Sequence, residues 1–314
     1  MPNFQLYDKT SRVRDNLRKV IRGKDEAIEL LLTAVLAEGH VLLDDVPGVG
    51  KTTLAKALAK SVECDFKRIQ FTPDMMPSDI LGAAVFNQKT SEFTFHQGPI
   101  FSNIVLGDEI NRASPRTQSA MLEAMNERQI SIDGRRCPLP EPFLVIATEN
   151  PVEYFGTFPL PEAQLDRFAM QFSLGYPDEL HEFEILSARK LSDPLDSVKA
   201  ELDRDELKTA QEDARTVSIE SSVLAYLLSI VRATREPDCG LRLGASPRAA
   251  LDLARCVRAR AWLDRRDYAT PDDASALAIP VLAHRLVPSA QSRHAGLAPA
   301  EILSGILKRI PVPV

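Results

Sequence analysis

The chain has 314 residues, 44% of them apolar, with 38 Lys+Arg against 44 Asp+Glu and a formal net charge of −6. That length suits two ordinary domains with packed cores. The acidic balance, shared by the first 178 residues and the remainder, argues against a general nucleic-acid or anionic-membrane surface. The cysteines, Cys64, Cys137, Cys239 and Cys256, have no C-x-x-C spacing and no histidine-rich surroundings, so they read as free, partly buried thiols in a reducing compartment, with no structural zinc. The first ten residues lack a signal peptide's apolar core, and the apolar run 27–37 is too short to span a membrane. A cytoplasmic setting with no membrane insertion is expected.

In chain order, residues 12–20 and 24–38 read as helices, the second with Ile28, Leu31, Leu32, Val35 and Leu36 at helical spacing. Strands are expected at 40–44, 66–71, 103–108, 143–148 and 168–174, with helices at 52–61 and 117–127 between them. This alternation implies a parallel sheet with helices on both faces. Two segments read as β-hairpins inserted into that core. One is 83–96, with a polar turn at 89–91. The other is 129–137, where Asp133-Gly134 is a type I′ turn signal. From about Pro177 the strand signal disappears. Helices are expected at 179–192, 205–217, 221–236, 247–264 and 271–286, with Ser246 and Thr270 as N-caps before Pro247 and Pro271. A looser segment, 192–197, joins two of them. The chain therefore divides into an α/β domain, 1–178, and an α-helical domain, 179–314.

Two motifs carry the chemistry. Asp45-Val46-Pro47-Gly48-Val49-Gly50-Lys51-Thr52-Thr53 follows an apolar strand and opens a helix, the setting a phosphate-binding loop needs. Backbone N–H groups around Gly48 and Gly50 can face phosphate oxygens, helped by the helix N-terminus. Lys51 would sit on the β/γ-phosphates of ATP, and the Thr52 hydroxyl would hold Mg2+. Position 45 departs from the usual motif, which has Gly there. The second motif is Asp108-Glu109, at the end of the apolar run Ile104-Val105-Leu106-Gly107. Asp108 would hold the Mg2+ shell, and Glu109 would polarise a water for in-line attack on the γ-phosphate. A small-molecule kinase using the same loop would have no need of such a glutamate.

Four further blocks are similar to the MoxR family of AAA+ ATPases: Phe71-Thr72-Pro73-Asp74-Met75-Met76-Pro77-Ser78-Asp79, Gly107 to Ala113, Ala147-Thr148-Glu149-Asn150-Pro151, and Phe158 to Phe168. The match runs over most of residues 21–260. The resemblance implies a P-loop AAA+ core with inserted hairpins, followed by an α-helical lid. It implies that Asn150 is the sensor-1 residue at the attacking water or γ-phosphate. Arg167 resembles the arginine finger that a neighbouring subunit inserts, and Arg248 resembles sensor 2, reaching from the lid to the nucleotide. The turn at Arg22-Gly23 resembles the family's adenine-contacting turn. The run Arg255, Arg258, Arg260, Arg265 and Arg266 reads as a solvated helix face. As a whole, the resemblance implies a homo-oligomeric ring, a hexamer. It would use ATP to remodel or mature a client enzyme, including metal or cofactor insertion, with a separate von Willebrand factor A domain partner. The alternative is a nucleic-acid-associated AAA+ motor or transcription-activator ATPase. The acidic charge and the hairpin tip Lys89-Thr90-Ser91, poor in basic and aromatic residues, argue against nucleic acid.

Overall fold

The computed structural model describes residues 2–89, 91–132, 135–150, 156–188 and 193–313. Two helices open the chain, α1 (Tyr7–Val20) and α2 (Asp25–Leu36). The first begins well before residue 12, because Phe4 and Tyr7 pack on the Trp262 ring, each with centroids 6.0 Å away. Then come β1 (Val41–Asp44), α3 (Lys51–Ser61), β2 (Phe66–Gln70), α4 (Pro77–Leu81), β3 (Gly82–Asn87), β4 (Glu92–Gln97), β5 (Ile104–Asp108), α5 (Pro115–Glu127), β6 (Gln129–Ile132), β7 (Arg135–Pro138), β8 (Leu144–Glu149), α6 (Glu162–Leu165) and β9 (Met170–Phe172).

Strands β2, β5, β8, β1 and β9 form one parallel sheet in that order. The strands β1, β5 and β8 read as unbroken apolar runs because both of their faces are covered. Val41 and Leu43 point into one buried cluster and Leu42 into the other. The hairpins are β3–β4, in register from Gly82↔Gln97 to Asn87↔Glu92, and β6–β7. The Asp133-Gly134 turn and Thr90 lie outside the described residues. Phe86 and Phe93 stand opposite each other on the first hairpin, ring centroids 5.2 Å apart, and both are exposed.

The remainder is α7 (Glu179–Ala188), α8 (Arg204–Arg215), α9 (Ser221–Ala233), β10 (Leu241–Leu243), α10 (Pro247–Leu263), α11 (Pro271–Leu282), β11 (Val287–Pro288), α12 (Ala290–His294) and α13 (Pro299–Leu307). Capping follows sequence. Ser246 Oγ accepts from Ala249 N ahead of Pro247, and Asp203 and Glu206 close a capping box on α8. Two expectations are corrected. The helical part does contain strands: β10 and β11 pair antiparallel. They are three and two residues long, too short to leave a periodic signal. The last expected helix stops at Leu282 and becomes a 3-10 turn, Ala283–Arg285. The part of 179–192 after residue 188 lies outside the described residues, and Pro194–Ser197 is another 3-10 turn.

The helical part does not keep a core to itself. One apolar cluster takes in Leu17 of α1, Leu31 of α2, Leu43 of β1, Leu207 of α8, Tyr226 of α9 and Trp262 of α10. No helix among the described residues is long and apolar enough to cross a membrane.

Candidate active site

The phosphate loop leaves the carboxyl edge of the sheet at Asp44 and enters α3 at Lys51. Gly50, at the N-cap, has φ 100°, and Gly48 has φ 87°. Only glycine takes such angles without strain. A Cβ on Gly48 would meet nothing within 4 Å, so the hollow in front of the loop is open to an anion. Pro47 and Val49 complete the turn, and Thr52 and Thr53 lie in the first helical turn. Lys51 is buried, and its Nζ donates to the carbonyl oxygens of Asp45 at 2.7 Å and Val46 at 3.3 Å. Burial holds its ammonium below the ordinary lysine value, and Asp45, Asp108, Glu109 and Asp44 oppose that shift.

Asp45, the departure from the usual loop, has a specific job. Its carboxylate is buried and accepts from Leu174 N at 2.5 Å and Gly175 N at 2.9 Å. It ties the loop to the chain just beyond β9. A glycine could not make these bonds.

Beside the loop, β5 and β8 end in the acidic pair and Asn150. Thr148 links them: its Oγ1 donates to Asp108 Oδ1 at 2.8 Å and accepts from Glu109 N at 2.9 Å. Asp108 Oδ2 accepts from Arg68 Nε (3.0 Å) and Nη2 (2.6 Å). Glu109 has φ 58°, and its Oε2 accepts from Gln70 Nε2 at 3.0 Å and Arg112 Nη1 at 3.1 Å. Asn150 is buried at the same sheet edge. The donor set suits a hard divalent cation, with the Thr52 hydroxyl and an Asp108 carboxylate whose Oδ1, bonded to Thr148, keeps a further lone pair.

Another carboxylate pair was missed in sequence. Asp44 and Glu149 are register partners on β1 and β8. Burial, and secondly the Asp44 charge, push Glu149 up to about 7. Arg68 and Gln70 were missed as well. Only the pairing of β2 with β5 turns them toward Asp108 and Glu109.

Arg167 and Arg248 come together, but not at this edge. Both line a cleft of about 250 Å³ with His40, Arg128, Asp252 and Arg255. His40 immediately precedes β1, and Ala169 N donates to His40 O, so the cleft lies at the amino edge of the sheet. The four residues of β1, about 13 Å at 3.3 Å each, separate it from the phosphate loop. The expectation that Arg248 reaches from the lid to the nucleotide is therefore corrected for its own chain. Arg248 instead donates to Asn126 Oδ1 at 2.6 Å. Burial lowers its pKa, and the positive charges of Arg285 and Arg167 contribute. The Arg167 guanidinium makes no hydrogen bond or ion pair among the described residues, while Asp166 beside it accepts from Ser246 Oγ.

Gly23 has φ 67° and lies against the His181 ring of α7, while Arg22 is exposed. The arginines of α10 and the following turn each have a partner in the chain. Arg255 pairs with Asp252, Arg260 with Asp264 and Arg266 with Asp273, Arg258 donates to Val217 O, and Arg265 stands 5.2 Å from the Tyr7 ring centroid.

A phosphate loop on a five-stranded parallel sheet, an acidic pair at the same edge one strand removed, and a helical lid define a AAA+ ATPase. The profile of the ATPase family associated with various cellular activities (AAA) matches residues 40–170, and that of the AAA lid domain matches 232–304. YeaC of Bacillus subtilis is 44% identical over 98% of this chain and 96% of its own length. Chaperone MoxR1 of Mycobacterium tuberculosis is 39% identical over 95% and 80%. The protein MoxR of Methylorubrum extorquens is 32% identical over 98% and 96%. A solved structure from Cytophaga hutchinsonii, 38% identical, superposes with a TM-score of 0.90 over 98% of this chain and 96% of that one. The chain belongs to the MoxR family of AAA+ ATPases.

Proposed function

We propose that the chain hydrolyses ATP with Mg2+ at sites completed between subunits of a ring, and uses the cycle to remodel partner proteins. The observation that carries this reading is the separation of two half-sites: Lys51, Asp108, Glu109 and Asn150 at one edge of the sheet, Arg167 and Arg248 at the other. Neither half suffices alone, and a head-to-tail contact would join them.

On this reading the amides of residues 47–51 and the Lys51 ammonium hold the β/γ-phosphates, with Thr53 in the same helical turn. The Arg22-Gly23 turn lies against the adenine. Thr52 and Asp108 would hold Mg2+, which would supply positive charge to the phosphate oxygens. Glu109 accepts the proton of the attacking water, and Asn150 orients that water. Before it can act, the Glu109 carboxylate must leave its hydrogen bonds with Gln70 and Arg112. Arg167 and Arg248 of the neighbour meet the charge that develops on the γ-phosphoryl group. The division into a nucleotide-binding domain and a lid falls at 178/179, between the last sheet strand and α7. In line with the chaperone name of one relative, the work done is maturation of a client enzyme in the cytoplasm, with a von Willebrand factor A domain protein as partner. Pull-down with Glu109→Gln, held in the ATP state, tests for that partner.

Complementation tests the site. Arg167→Ala, Arg248→Ala and Glu109→Gln are each expected to be inactive alone. Mixing either arginine variant with Glu109→Gln, with subunit exchange verified, should restore ATPase activity. Rescue of Arg167→Ala but not Arg248→Ala would show that Arg248 serves its own nucleotide. Full activity of assembled Arg167→Ala would end the reading.

A further inference from the structure

Arg167 and Arg248 of the amino-edge cleft are anchored through one buried guanidinium. Arg285, in the 3-10 turn after α11, is 3% exposed. Its Nη2 donates to Phe168 O at 2.5 Å and Asp252 Oδ2 at 2.8 Å, and its Nη1 lies 3.3 Å from Asp166 Oδ1. His284 Nε2, next in chain, contacts the same Phe168 carbonyl at 3.0 Å. Arg285 therefore meets the chain on both sides of Arg167, by a hydrogen bond at Phe168 and by an ion pair at Asp166. Asp252 stands one helical turn beyond Arg248 on α10, on the same face. Ser246, two residues before Arg248, closes the loop: its Oγ donates to Asp166 Oδ1 and Oδ2 at 2.9 and 3.0 Å and also caps α10.

We propose that Arg285, with Asp166, Asp252 and Ser246, is the positioning network that fixes Arg167 and Arg248 as one unit for the neighbouring subunit's nucleotide. This rests on the in-trans reading of those two arginines. A buried ion cluster is a poor device for stability, since desolvation cancels most of its attraction. It is a good device for geometry, because guanidinium and carboxylate planes admit few arrangements. Here it has a local purpose. Arg167, Arg248 and Arg285 repel one another, and Asp166 and Asp252 hold them close without covering the Arg167 head. The lid thereby contributes to the finger's aim as well as carrying its own arginine.

The test uses full-length, assembled protein with Arg285→Lys, which keeps the charge but loses the fork that bonds Phe168 O and Asp252 while facing Asp166. A second variant, Ser246→Ala, cuts the other arm of the clamp. Each should bind ATP as the parent does, because its own phosphate loop is untouched, and should lose kcat by about tenfold to a hundredfold. Mixing each with Glu109→Gln, which supplies an intact arginine pair, should restore turnover. Mixing with Arg167→Ala, damaged on the same side, should not. Unchanged kcat in Arg285→Lys, weakened ATP binding, or absent rescue by Glu109→Gln would overturn the positioning role. The control pair, Arg167→Ala with Glu109→Gln, separates the two ideas. Failure there removes the in-trans reading itself. Recovery there without recovery of Arg285→Lys removes only the network.

Discussion

Replacing Asp45 by glycine would restore the usual residue of the phosphate loop, yet it should weaken this protein. The carboxylate accepts two backbone hydrogen bonds, from Leu174 and Gly175, in a buried setting. Hydrogen bonds to a charged group are worth about 1.5–3 kcal/mol each. Truncation relieves the cost of burying the charge, so the net loss is about 2–4 kcal/mol for Asp45→Ala. Asp45→Gly should lose roughly 0.5–1 kcal/mol more through backbone entropy. Asp45→Asn, with one accepting oxygen and an amide turned against the second N–H, should fall between Ala and the parent. At about 2 °C per kcal/mol for a chain of this size, Asp45→Ala should lower Tm by roughly 4–8 °C. Urea unfolding gives the energy, and hydrogen exchange gives the place: the Leu174 and Gly175 amides should lose protection first. If Asp45→Ala and Asp45→Gly unfold like the parent and those two amides stay protected, the clamp contributes nothing and the reasoning fails.

Lys51→Ala should weaken ATP binding, whereas Glu109→Gln should bind ATP and lose about 10²–10⁴-fold in turnover; equilibrium binding and phosphate release separate the two. Thr148→Val removes the hydroxyl between Asp108 and Glu109 and leaves Glu109 N without its acceptor, so kcat should fall by about tenfold or more at unchanged ATP affinity. Glu149 is lifted from 4.5 to about 7, so the folded state holds this proton more tightly than the unfolded chain does. Its favourable contribution is complete below pH 4.5 and is lost as pH rises through 7. Glu149→Gln should flatten that part of the stability profile, and an unchanged slope would contradict the assignment. Burial, the largest cause, lowers His40 to about 4, so its contribution runs the other way and is lost as pH falls from 6.5 through 4. The difference between the Glu149→Gln and parent curves isolates Glu149.

The sheet was legible because β1, β5 and β8 are apolar runs ended by recognisable motifs, and the helices because proline and a capping residue mark their starts. The carboxyl-edge residues were legible too, since Lys51, Thr52, Asp108, Glu109 and Asn150 sit at strand ends where chain order fixes their place. The whereabouts of Arg248 was not. A residue on a lid helix is placed by how the lid packs, and here α10 lies against α2 within a shared core. Arg68, Gln70 and Arg285 were invisible for the same reason, since each acquires its partner only through contacts between distant segments. The Asp45 clamp could not be read because its acceptors serve backbone amides 129 and 130 residues away.

The opposite placement of the phosphate loop and the arginine cleft has an arithmetical consequence if sites form between chains. An open row of subunits always wastes one of each: the first chain's loop has no arginines to meet, and the last chain's arginines have no loop. A pair would own one working site between two chains, and only closure makes sites equal in number to chains. Turnover per chain should therefore climb with each subunit added and step up once more when the last gap shuts, so that specific activity becomes a gauge of ring closure.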